Sequence, residues 1–282
     1  MEQATPRWWI SPPGPDESLR SCLARAADLY KADPGELWVQ LNADDPLPIG
    51  TIDAPSCAAL LRLGDALGVP GASLRPNRLP DSPSQLAPHA RMAICPACWL
   101  DDDAAERPRG YRRSWTHVLR TTCPIHHAPL IIPRDRFKPD LAAALAAQKA
   151  LTDYDREILN MIESFGTALE ASLFRGAPWP ATWRSNPPSV RERLCEVSFS
   201  LGATRGPPLT ANLSPTPALA GFVHGPRHYR ELREADGWEG FRQLVDPCER
   251  RAALWIVAWH SIPGLDATLS PGWVDMPGLL NI

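Results

Sequence analysis

Apolar and polar positions alternate along this chain with the period of short helices, broken often by proline. In "PDESLRSCLARAADLY", Leu19, Cys22, Leu23, Ala26 and Tyr30 recur at helical spacing, and Asp16 stands where an N-cap is expected. "DPGELWVQL" predicts a second short helix, with Asp33 as cap and Pro34 at the first helical position. "DAPSCAALLRLGDALG" predicts a third, capped by Asp53 and ended by Gly68. The first two read as helices joined by a tight turn, an order shared by helix-turn-helix units and by ordinary helical hairpins. From Val69 to His89 proline and serine multiply, and a linker or irregular wrap is expected.

Helical pattern resumes after residue 139. "DLAAALAAQKAL" and "TDYDREILNMIESFGTALEASLF" are good helix formers, the second with Ile158, Met161, Ile162, Phe165, Leu169 and Leu173 on one face. "SVRERLCEVSFSLG" predicts another helix. "PALAGFVHGPRHYRELREADGWEGFRQLV" has the helix, glycine turn and helix order of a second helix-turn-helix, whose second helix would begin near Pro226. "DPCERRAALWIVAWHSI" predicts a capped amphipathic helix with Trp255 and Trp259 one turn apart. The longest apolar run, residues 252–259, is too short to span a bilayer, and the first residues lack the apolar core of a signal peptide. The expectation is a soluble, cytoplasmic protein without membrane association.

Composition sharpens this picture in two places. With 32 prolines and 18 glycines in 282 residues, elements should be short and the fold divided into small units. The seven cysteines are an odd number in a chain without secretory features, which favours metal ligands and buried thiols over a disulfide framework. The net charge of −3 provides no global field for nucleic acid, so any DNA contact must be local. Arg107, Arg109, Arg112, Arg113, Arg120, Arg134, Arg136 and Lys138 form one such basic stretch, in which Asp135 is the sole carboxylate. A second candidate surface is Arg227, His228, Arg230 and Arg233 on the C-terminal helix-turn-helix, residue types suited to phosphate or base edges, though equally to a solvated helix face.

The chemistry lies between these segments. "ICPAC" supplies Cys95 and Cys98, and "CPIH" supplies Cys123 and His126. A two-residue gap lets a tight turn aim both side chains at one point, and Pro96 and Pro124 stiffen each turn. Two such knuckles make a closed Cys3His tetrahedron suited to one structural Zn2+ per chain, with no open position for an activated water. A redox Cys-x-x-Cys at 95–98 would leave the second knuckle unexplained. A Cys123 nucleophile with His126 or His127 as base would need an orienting group and an oxyanion site that the sequence does not offer. His127 or His117 could replace His126, but only His126 repeats the two-residue gap. His224 and His228 are four apart, yet Cys248 alone is poor support for a second metal site.

"DESLRSCLARAA", "ICPACWLDD" and "YRRSWTHVLRTTCPIHHAPL", in that order over residues 16–132, resemble the TniQ family, which includes TnsD-type transposition proteins. The resemblance implies an adaptor that chooses where a transposon inserts, recognises DNA directly or through a guide RNA complex, and recruits an AAA+ ATPase of the TnsC or TniB type; it admits a homodimer. No lysine follows a glycine, so the G-K-[ST] of a phosphate-binding loop is absent and the chain is not that ATPase. It is expected to be no enzyme. The alternative is a zinc-ribbon, helix-turn-helix DNA-binding regulator unrelated to transposition. The expected fold is mainly α with a small β zinc ribbon: a helical unit with helix-turn-helix character over 1–88, the ribbon over 89–138 and a C-terminal helical domain over 139–282. For partner binding, Trp8 and Trp9 are expected as an exposed aromatic pair beside Arg20 and Arg25, which fall opposite the apolar stripe of the first helix.

Overall fold

The fold is taken from a computed structural model, which describes residues 7–202 and 237–265 apart from 46, 80–81, 134–139 and 245. The candidate residues Arg134, Arg136, Lys138, His224, Arg227, His228, Arg230 and Arg233 lie outside the described residues, as does most of the second helix-turn-helix. The described chain is helical with only isolated β-bridges, and its contacts divide it into two units. The first is Met1–Ser82 with Asp102–Ser114, and the second is Pro83–Asp101 with Trp115–Ile282. Each unit is thus discontinuous in sequence. Among the described residues no helix is long and apolar enough to cross a membrane.

The first unit is built on α1 (Leu19–Tyr30), α2 (Pro34–Leu41) and α3 (Cys57–Leu67). Leu19, Cys22, Leu23 and Ala26 of α1 are buried with Trp38 of α2 and Leu60 and Leu63 of α3 in one core. Two expected caps are replaced. Ser18 caps α1 by accepting from the Ser21 N–H, because it directly precedes the first helical residue; Asp16 lies two residues further out and instead accepts from the Ser114 backbone N–H and hydroxyl. Ser56 likewise caps α3, while Asp53 receives the Arg20 guanidinium at 3.0 Å. Asp33 and Pro34 start α2, and left-handed Gly68 ends α3, as the pattern predicts. The turn that follows packs on α3 through Gly64 and Gly71: a Cβ on Gly64 would lie 2.6 Å from the Val69 carbonyl oxygen.

In the second unit, α4 (Pro96–Ala104) begins inside the first cysteine knuckle, its residues from Asp102 onward counting with the first unit. Beyond it come α5 (Leu141–Lys149), α6 (Asp153–Arg175), α7 (Pro187–Gly202), α8 (Gly237–Arg242) and α9 (Pro247–Ser261). Thr152 and Asp155 form a capping box at the start of α6, whose Ile158, Leu159, Ile162, Phe165 and Leu169 are buried, while Met161 and Leu173 are only half-buried. α9 departs from the amphipathic expectation. It is buried nearly all round: Ala252–Ala258 are interior and so are Arg250 and Arg251, at 0% and 2% exposure. Burial lowers both guanidiniums, Arg250 to about 10, so it stays charged at neutral pH. The expected ribbon is reduced to single bridges, Ile94 with Ile131 and Thr122 with Pro129. Pro129 has no N–H to extend a ladder, which accounts for the shortness of the second.

Candidate metal centre

Two local turns bring the four predicted ligands together. Cys95 precedes α4 and Cys98 lies in its first turn, where the Trp99 N–H donates to the Cys95 carbonyl at 3.2 Å. Cys123 and His126 share a tight turn closed by the His127 N–H on the Cys123 carbonyl and by the Cys123 N–H on the Ala128 carbonyl, both 2.8 Å, with His127 in the left-handed region at φ 50°. The reciprocal Ile94–Ile131 hydrogen bonds, 2.8 and 3.0 Å, lie next to Cys95 and join the two knuckles.

The resulting cluster has tetrahedral dimensions. All four ligand atoms lie within 4.8 Å of one another. The Cys98 and Cys123 sulfurs are 3.5 Å apart, and His126 Nδ1 is 3.3 Å from Cys98, 3.6 Å from Cys95 and 3.8 Å from Cys123. For Zn–S near 2.3 Å and Zn–N near 2.0 Å, a tetrahedron requires edges of about 3.8 Å between sulfurs and about 3.5 Å from sulfur to nitrogen. The residues therefore fit zinc: Cys95, Cys98 and Cys123, each fully buried, would supply thiolates and His126 its Nδ1. Three sulfurs this close cannot all ionise unless a cation shares them. Hydrogen bonds from Cys95 and Cys98 hold the Cys123 thiol far below its usual range, whereas the bond to Cys123 pushes Cys98 up and raises Cys95 to about 12. A bound metal offsets that repulsion, and four protein ligands leave it no open position for chemistry.

The other histidines are placed elsewhere. His127 is exposed, its Nδ1 3.2 Å from Glu163. His117 is half-buried with Nε2 3.7 Å from Glu170, and its desolvation lowers it to about 4. Sequence reasoning passed over Asp101, whose Oδ2 lies 3.0 Å from His126 Nε2. Its position three residues after Cys98 on a helix was the available signal.

The candidate DNA and partner residues are more engaged than the sequence implies. Asp102 and Asp103, which precede the basic stretch, reach into it: Arg107 and Arg112 both pair with Asp102 at 3.1 Å, and Arg109 pairs with Asp103, holding that carboxyl below its usual range. Arg112 is only 18% exposed. Arg113 donates to the Pro15 carbonyl, and Arg120 approaches Glu170 at 3.9 Å. Arg25 is tied to Glu17 by two hydrogen bonds, as Arg20 is to Asp53. The aromatic pair is split: Trp8 is buried, its N–H on the Ala66 carbonyl, whereas Trp9 is 87% exposed with its N–H on the Tyr30 hydroxyl.

No curated protein and no solved structure matches the chain. A family model does: residues 9–130 match TniQ, a span that contains all four candidate ligands.

Proposed function

We propose that the protein is a target-selection adaptor of transposition, built around a structural zinc, that links a DNA target or guide complex to an AAA+ ATPase of the TnsC or TniB type. The observation that carries this reading is the TniQ match over residues 9–130 together with the closed Cys95, Cys98, Cys123, His126 cluster inside it. A centre with four protein ligands shapes a surface and performs no reaction, which suits recruitment. Trp9 is the partner anchor best supported by its exposure; Trp8 is withdrawn from that role by its burial, and Arg20 and Arg25 would act through the polar rim they form with Asp53 and Glu17. For DNA, Arg113 and Arg120 of the zinc segment and Arg227, His228, Arg230 and Arg233 are the proposed contacts. Arg112, already spent on Asp102, contributes least.

The test is co-purification of the zinc-loaded full chain with the AAA+ ATPase of its own transposon in the presence of ATP, comparing wild type with Trp9→Ala. Retention by wild type, weakened in a folded Trp9→Ala protein, is expected. Failure of wild type to retain the ATPase with any nucleotide, alongside sequence-specific DNA binding by the chain alone, would overturn the adaptor reading in favour of a DNA-binding regulator.

A further inference from the structure

Residues 121–130 present Cys123 and His126, and their ends are drawn together by the Leu130 N–H on the Thr121 carbonyl at 2.9 Å. Arg251, on α9, reaches the same two residues: its Nη2 donates to the Thr121 carbonyl at 3.2 Å and to the Leu130 carbonyl at 3.3 Å. The side chain is 2% exposed and has no ion pair to a carboxylate among the described residues. Burying a guanidinium without a direct ion pair is costly, even with Asp246 acting on it at longer range, and an aliphatic residue of similar volume would fill the space without that cost. What arginine adds is a planar, rigid donor that can serve two carbonyls at the base of one loop. Arg250, next in the chain and equally buried, provides the contrast. Its Nη1 donates only to the Leu244 carbonyl, at 3.4 Å, and it makes no hydrogen bond to the metal loop among the described residues.

We propose that Arg251 is a positioning residue of the metal centre: by gripping the Thr121 and Leu130 carbonyls it holds the loop in the shape that converges Cys123 and His126, and it couples metal retention to the seating of α9. The inference rests on the zinc reading of the cluster. Its consequence is that the metal centre, whose four ligands all lie within the TniQ match over residues 9–130, is completed by a side chain from far outside that span. Linkage makes the coupling reciprocal, so zinc also steadies α9.

The experiment measures zinc release from the full chain to excess pyridylazoresorcinol. Arg251→Met is expected to release zinc about tenfold faster or more, the range typical for loss of a group that orients metal ligands, while Arg250→Met stays within about threefold of wild type. Arg251→Lys, which keeps a charged donor but not the rigid guanidinium that fixes Nη2 between the two carbonyls, is expected between the two; should Arg251→Met fail to fold, Arg251→Lys carries the test by releasing zinc faster than Arg250→Met. Equal release from the Arg251 and Arg250 variants overturns the proposal, since both lose one buried guanidinium. If wild type binds no zinc, the metal reading fails by itself and residue-resolved hydrogen exchange decides the clamp: Arg251→Met should lower protection of the Leu130 amide, and unchanged protection overturns it.

Discussion

His126 is held between two partners: its Nδ1 faces the three cysteine sulfurs, and its Nε2 lies 3.0 Å from Asp101 Oδ2. A carboxylate on the far nitrogen fixes the tautomer, placing the proton on Nε2 and the lone pair on Nδ1, and holds the ring in its orientation. Asp101→Ala is therefore expected to weaken zinc binding about 10- to 100-fold while the fold persists. Competition with a chromophoric chelator measures it, and an unchanged affinity would show that Asp101 is only a surface neighbour.

Elemental analysis should find about one zinc per chain, since the cluster supplies one closed four-ligand site. Cys123→Ser should lose the metal and much of the stability, because a structural site contributes its binding free energy to folding. Cys22→Ser provides the control: Cys22 is equally buried, but it belongs to the core of the first unit and not to the four-residue cluster, so zinc content should hold. Full zinc occupancy in folded Cys123→Ser would remove Cys123 from the ligand set.

Acid should act through His117. Burial lowers this imidazole to about 4, below its unfolded value of 6.5, so the unfolded state binds the proton first. Its neutral form is favoured above pH 6.5, and stability is lost as pH falls from 6.5 towards 4, by roughly 3 kcal/mol at the lower end. Because release of a bound zinc would also destabilise in acid, the informative quantity is the difference between wild type and His117→Gln. In denaturant titrations from pH 7 to 4.5, the variant should lose less stability than wild type; parallel curves would exclude His117 as the cause.

Neighbouring tryptophans should behave oppositely. Trp8→Ala empties a core position of the first unit and is expected to cost about 3 kcal/mol or more, whereas Trp9→Ala should change stability by no more than about 0.5 kcal/mol. Urea denaturation separates the two, and a large loss with Trp9→Ala would mean that this ring is packed rather than available to a partner.

Local chemistry was legible in the sequence wherever its cause spans only a few residues. The Cys-x2-Cys and Cys-x2-His gaps identified Cys95, Cys98, Cys123 and His126, since each knuckle is one tight turn. Helical periodicity located α1, α2, α3, α6 and α9, and Asp33 and Asp246 cap their helices because a cap reaches only the first turn. Tertiary structure decided what depends on a distant segment. It drew Asp16 to Ser114 and Asp53 to Arg20, leaving Ser18 and Ser56 as caps. It buried Trp8 and exposed Trp9, for adjacent residues in an irregular segment carry no periodicity to tell them apart. It surrounded α9 on nearly all sides and turned Arg251 onto the carbonyls of Thr121 and Leu130, contacts between residues 130 and 121 positions apart that no local pattern encodes. Periodicity records which face of an element is apolar; only packing determines how many neighbours that element has and which polar groups they bring to it.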